Sequence, residues 1–273
     1  FSFLLVMCQL VYFKKIINKI TGSFFHYLIV ISMYLLLLNG HIFAIRPDAL
    51  KVLLFSIFFF HLIQFSFFTH IKKDAVLAVI VGLLAVYTKQ DIVIHISICL
   101  ITLLFFKREK IVFYLVGSFF LSGLLLFIFC QIFYGKYFFA NLVLFNFQQV
   151  ENLFQSYIVF LLSESAVRTV PLLLVAFYNL ATLSKNSTTY SFEKYLTVVS
   201  IISFPVAHLL LLRAASNLNY TYELIFFLVI NVAIFLKNVW LNNKTLRKVS
   251  VVIVGFFYFF MLIDLNYLFS KYE

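Results

Sequence analysis

The sequence predicts an all-α, polytopic bundle of about ten membrane-spanning helices. Three observations predict it. The chain is 64% hydrophobic and 11% charged, with a mean hydropathy of +1.07, more apolar than any soluble core of 273 residues requires. Its apolar residues come in repeated continuous runs, as helices of roughly 17–25 residues crossing a bilayer do, and not in the alternating pattern of a membrane β-barrel. Its basic residues fall mostly between the runs, in short loops that read as topology determinants.

The first run, residues 1–13, closes on Lys14, Lys15 and Lys19. The second, 24–38, leads to residues 41–48, which carry Arg46, Pro47 and Asp48. Pro47 suits the first position of a helix, where its missing N–H would have had no intrahelical partner. Asp48 then sits in the first turn, where the helix dipole favours negative charge. The third run, 49–68, starts there and ends at Lys72, Lys73 and Asp74. The fourth, 75–87, meets the fifth, 92–106, across Thr88, Lys89, Gln90 and Asp91, with almost no loop. Lys107, Arg108, Glu109 and Lys110 precede the sixth run, 111–133.

A polar and aromatic stretch, 136–156, is too broken to span and suits a helix lying along a surface. The seventh run is split: 157–162 reads as interfacial or re-entrant, Ser163, Glu164 and Ser165 interrupt it, and Pro171 starts the true span to 183. After the polar loop 185–194 come the eighth run, 195–212, the ninth, 222–236, and the tenth, 249–268. The whole reads as a single transmembrane domain over residues 1–273. Because Phe1 already lies inside an apolar segment, the sequence reads as a fragment with its N-terminal span and first outer loop before Phe1.

Alternating the loops puts those at Lys14, Lys72, Lys107, Lys185 and Lys237 on one side. They hold two thirds of the 21 lysines and arginines, and of the ten acidic residues only Asp74, Glu109 and Glu193. The excess of basic residues makes that side cytoplasmic. Arg46, Asp48, Lys89, Gln90, Asp91, residues 136–151, Glu164, Arg168 and the turn 213–223 then share the outer face. The spans themselves read as almost free of charge. The net charge of +11 is dispersed over many loops and forms no patch suited to nucleic acid.

Each outer group has a plain reading beside a functional one. Arg46 and Asp48 could be a snorkelling anchor and a helix cap. Lys89 could be an interfacial anchor, yet its near-loopless position puts an ammonium at membrane depth, where it needs a partner such as a lipid phosphate. The aromatic stretch 134–147 is an interface belt by composition. The turn 213–223 combines Arg213, Ser216, Asn217, Asn219, Tyr220, Tyr222 and Glu223, with Glu223 opening an apolar run. His95 and His208 read as packed polar groups, no metal-ligand spacing is present, and Cys8, Cys99 and Cys130 read as small apolar residues. No cofactor is implied.

At these residues the sequence resembles the GT-C class of multi-spanning glycosyltransferases, of the bacterial kind related to aminoarabinose and protein mannosyl transferases. Arg46-Pro47-Asp48 resembles that family's Arg-Pro-Asp at the start of a span, and Thr88-Lys89-Gln90 its Thr-Lys-Gln. Lys136-Tyr137-Phe138-Phe139 with Asn141 and Asn146 resembles the aromatic and Asn stretch that follows. Asn219-Tyr220 with Glu223 resembles the late Asn-Tyr…Glu, although Thr221-Tyr222 stands where apolar residues are usual.

The resemblance implies transfer of a sugar from a polyprenyl-phosphate donor to a glycan, lipid or protein acceptor at the outer face of a bacterial cytoplasmic membrane. It assigns donor phosphate binding to Arg46, Lys89 and Gln90, and sugar or acceptor binding to Asn219, Tyr220 and Glu223. The family's catalytic carboxylate falls before Phe1, with Asp48 as the nearest substitute. The Phe-rich body is expected to form a groove for the polyprenyl tail. The alternative is a lipid-linked oligosaccharide flippase or polymerase of cell-surface polysaccharide synthesis; a flippase calls for charges through the spans, and a polymerase for a large outer loop.

Overall fold

The computed structural model describes residues 2–38, 47–135, 164–186, 191–211, 222–242 and 255. Among these the chain is all-helical, without strands: α1 Ser2–Ile20, α2 Phe24–Leu37, α3 Pro47–Ile63, α4 Lys72–Thr88, α5 Ile92–Phe106, α6 Lys110–Tyr134, α7 Glu164–Asn186, α8 Phe192–Leu211 and α9 Tyr222–Asn242. The surface stretch 136–156, the run 157–162 and all but Gly255 of the tenth run lie outside the described residues.

Helix α1 does not end at its first lysines but runs through Lys14, Lys15 and Lys19. Lysine is a good helix former, and its stem can lie on apolar surface. Lys15 Nζ rests 4.6 Å from the ring centre of Tyr12, and Lys19 Nζ 4.6 Å from that of Phe68. Helix α3 does begin at Pro47, with Asp48 in its first turn. It continues as a π-helical turn, Gln64–Thr69, and stops at His70, whose φ of 54° is left-handed. That residue and Ile71 suffice to reverse the chain into α4.

The pair α3/α4 is antiparallel, tied at one end by Asp48 to Lys89 and at the other by His61 Nδ1 to Asp74 Oδ1, 2.8 Å apart. Between the ties α4 buries a stripe of small residues, Ala78, Gly82 and Ala85. Such a stripe lets helices approach closely. A Cβ at Gly82 would lie 2.8 Å from Phe119 Cε2 of α6 and 2.9 Å from Phe58 Cδ2 of α3, both buried rings. Gly82→Val is therefore expected to destabilise the bundle by about 1–3 kcal/mol through overpacking. Gly117, where a Cβ meets nothing within 4 Å, is the control. Thermal unfolding in detergent of Gly82→Val beside Gly117→Ala checks this, and equal melting temperatures would contradict it.

Pro171 does not start a span. Helix α7 begins at Glu164 and carries Pro171 inside it, as α8 carries Pro205. A single proline deletes one backbone hydrogen bond and crowds the preceding turn, a cost that packing against neighbouring helices offsets. Helices α7, α8 and α9 pack on one another through a buried polar tie centred on Asn231. Asn231 accepts from Thr197 Oγ1 (2.9 Å) and donates to Ser200 and Phe227 O, while Asn179 donates to Asn231 O (2.8 Å). Tyr195 of α8 donates to Cys99 O of α5.

Among the described residues, part of the Phe-rich body forms a packed core. Phe226 of α9 meets Phe13 of α1, Tyr34 of α2, and Phe55 and Phe59 of α3, with ring centres 5.3–6.3 Å apart. Edge-to-face geometry dominates, as aromatic quadrupoles favour. The expected tail groove is not built from these rings, because they satisfy one another. A shallow cavity of about 350 Å³ does open between α4 and α6, lined by Val76, Val79, Ile80, Ile111 and Leu115, but it lies toward the Lys72 end.

The bundle has two chemically different ends. Lys15 and Lys19 meet rings of α3 and its π turn, Lys107 Nζ lies 5.2 Å from the Phe67 ring, Phe68 stacks edge-on with Phe192, and Lys237 pairs with Glu193. Loops that sequence alternation assigned to one side thus meet at one end. Asp48, Lys89, Asp91 and Glu223 meet at the other.

Among the described residues two stretches are long and apolar enough to cross a membrane, Asp48–Thr69 and Lys110–Tyr134. The first is mostly buried in the bundle, whereas the second presents most of its surface outward. The expected count of about ten spans is not reached among the described residues. Apolar helices such as Phe24–Leu37 and Ile92–Phe106 stop at 14 and 15 residues. At 1.5 Å per residue these cover roughly 21–23 Å, short of a hydrocarbon core of about 30 Å.

Candidate functional site

The site is built on three helix ends. Asp48 and Lys51 are one turn apart at the start of α3 and so share a face. The turn between α4 and α5 is only three residues long: Ile92 N bonds Lys89 O and Val93 N bonds Gln90 O, and Asp91 is the N-cap of α5. Glu223 is the second residue of α9. Lys89 Nζ donates to Asp48 Oδ1 at 2.6 Å. Lys51 Nζ lies 2.9 Å from Asp91 Oδ2 and 2.9 Å from Glu223 Oε1.

The charges therefore form two tiers. At the rim, Lys89 remains 23% exposed beside Asp48. Beneath it, the side chains of Lys51 and Glu223 are both fully buried. Charges alternate across the contact, with Asp48 and Lys51 of α3 against Lys89 and Asp91 of the turn. A one-turn slip of α3 would set like charges together, so the quartet fixes the register of the α3/α4/α5 layer.

Lys51 is the residue that sequence reading passed over. It falls inside the apolar run 49–68 and was absorbed into it. A signal existed: a lysine three residues after Asp48 lies one helical turn inward on the same face. A buried lysine without a partner is almost never tolerated, so its position called for a carboxylate nearby. The description of the spans as almost free of charge is corrected by this residue. Among the described residues, the buried charges lie near helix ends.

Of the other sequence-predicted residues, Gln90 is exposed on the turn. Lys89, for which a lipid phosphate was one expected partner, has the carboxylate of Asp48. Arg46, Lys136, Asn141, Asn146, Arg213, Asn217, Asn219 and Tyr220 lie outside the described residues, as do the side chains of Glu164 and Arg168. His95 and His208 are both buried. His208 Nδ1 contacts Phe204 O one turn back, while neither ring nitrogen of His95 has a hydrogen-bond partner among the described residues. Among those residues no three His, Cys, Asp or Glu side chains gather as metal ligands. The cysteines are free thiols, with Cys99 buried in the core and Cys8 exposed.

The arrangement offers a partly exposed cation at the rim and carboxylates below. It can hold an anion at the first and accept hydrogen bonds at the second. No family model, curated protein or solved structure matches the chain.

Proposed function

We propose that the chain is a multi-pass membrane glycosyltransferase of GT-C type, moving a sugar from a polyprenyl-phosphate donor to an acceptor hydroxyl at the outer face of a cytoplasmic membrane. One observation supports it above the rest. Three segments that resemble family motifs, at Asp48, Lys89 and Glu223, are far apart in sequence and gather at one end of the bundle.

The chemistry follows from that end. The acceptor hydroxyl attacks the anomeric carbon, its proton passes to a carboxylate, and the bond from sugar to phosphate oxygen breaks with the electron pair leaving on phosphate. The growing phosphate charge needs fixed cations, supplied by Lys89 and Arg46. As the phosphate takes the Lys89 ammonium, Asp48 is released from its 2.6 Å contact and becomes available to accept the proton. Asn219, Tyr220 and Glu223 are assigned to the hydroxyls of sugar or acceptor. Glycan, lipid and protein acceptors all fit this chemistry, and no metal or cofactor enters the steps.

The test is sugar transfer from polyprenyl-phosphate donors by the full-length protein in sealed vesicles, with topology read in the same preparation. A thiol reagent applied from the outer side is expected to modify Gln90→Cys and to leave Glu109→Cys untouched. Modification of position 109 alone would reverse the topology, and lack of transfer with every donor would remove the transferase reading.

A further inference from the structure

We propose that Lys51 is a positioning residue of this site, holding Asp91 and Glu223 by one oxygen each so that their other oxygens accept hydrogen bonds from the hydroxyls of a sugar or acceptor. The inference deepens the transferase reading and rests on it. Lys51 belongs to none of the motif-like segments, and only the folded chain brings it between the two carboxylates.

The argument begins with unfilled acceptors. Lys51 Nζ is 2.9 Å from Asp91 Oδ2 and 2.9 Å from Glu223 Oε1. Asp91 Oδ1 and Glu223 Oε2, the oxygens that Lys51 does not hold, are buried without a hydrogen-bond partner among the described residues. His95, one turn along α5 from Asp91, adds two unpartnered ring nitrogens, of which the neutral ring offers one as an acceptor. Buried polar atoms are rarely left unpaired, and a concentration of them beside one ammonium points to a partner that supplies donors.

The chemistry of the partner follows from charge. An ammonium donates and cannot accept, so the excess capacity of the inner tier is acceptor capacity. Three carboxylates, Asp48, Asp91 and Glu223, surround two lysines. A phosphate would be repelled there and belongs at the rim beside Lys89. A polyol, with several O–H donors and no charge, suits the inner tier. A purely structural tie between α3, α5 and α9 would need one carboxylate per ammonium. The second carboxylate adds buried negative charge that a tie does not use.

The experiment uses the full-length protein in vesicles with a polyprenyl-phosphate-linked sugar donor, and compares Lys51→Arg with the charge-matched Lys51→Met/Glu223→Gln. Donor KM, acceptor KM and kcat are read separately, and a hydrophobic carbodiimide reports whether Glu223 is held by a cation. Because misplacement of a reacting group by about 1 Å can cost on the order of 100-fold, the double variant should insert normally and lose about that factor in kcat over acceptor KM beyond the loss seen in Glu223→Gln alone. Lys51→Arg should recover part of the loss. Carbodiimide should label Glu223 slowly in the wild type and faster in Lys51→Met.

Wild-type kcat and acceptor KM in the double variant would overturn the positioning role, as would unchanged labelling of Glu223. If the wild type transfers no sugar while the labelling behaves as expected, the transferase reading falls, and Lys51 is a structural tie only.

Discussion

Lys51→Met is expected to lower the stability of the bundle by about 3–5 kcal/mol, the cost of removing one partner from a buried ion pair. Glu223→Gln is expected to cost much less. The difference lies in the count of charges. Lys51 is the one cation in contact with both Asp91 and Glu223 among the described residues, at 2.9 Å to each. Removing it leaves two buried carboxylates facing each other. Removing the Glu223 charge leaves Lys51 paired with Asp91, and the inner tier becomes neutral. The Lys51→Met/Glu223→Gln variant should therefore recover much of the stability that Lys51→Met loses, a non-additivity that a double-mutant cycle reads directly. Denaturant unfolding in detergent micelles is the measurement. Additive losses, or a Lys51→Met loss below about 1 kcal/mol, would mean that the carboxylates do not depend on this ammonium.

The helical class, the start of α3 at Pro47 and the near-loopless turn at Lys89 were all legible, because each follows from local rules: continuous apolar runs, a proline that needs no N–H partner, and polar residues confined to a break. The segregation of basic loops to one end was legible for the same reason. The misses share another cause. Lys51, Asn179 and Asn231 lie inside apolar runs, and a run is read by its average. Their roles depend on which helices face them, which no local pattern records. Pro171 misled because proline is common at helix starts, yet here packing carries it in a helix interior. Composition alone does not separate rings that face outward from rings such as Phe226 and its neighbours, which pack on one another in the core. Helix length was the least legible property, since polar turns end several apolar helices short of a full crossing.

Lys89→Met and Arg46→Lys are each expected to lower sugar transfer by about 2–4 kcal/mol of transition-state stabilisation, on the order of 10²–10³ in kcat. The fold gives Lys89 a defined resting state, its ammonium 2.6 Å from Asp48 Oδ1 and 23% exposed at the rim. Arg46 is two residues before Asp48, so covalent reach keeps their Cα atoms within about 7 Å. On the proposed function Arg46 and Lys89 share the donor phosphate, and a dianionic leaving group would offset the repulsion between two cations better than a single carboxylate does. Arginine offers a planar fork to phosphate oxygens and lysine a movable point charge, which is why Arg46→Lys is not conservative here. On the proposed function Asp48, which holds Lys89 in the resting state, competes with the donor phosphate for it. Asp48→Asn should therefore lower the donor KM while it also lowers kcat, a split that separates competition for the cation from simple loss of structure. Transfer from a polyprenyl-phosphate donor by the three single variants and by Arg46→Lys/Lys89→Met is the measurement. Wild-type turnover in both cation variants would make Arg46 and Lys89 membrane anchors. A raised donor KM in Asp48→Asn would mean that the carboxylate helps to hold the donor instead of yielding to it.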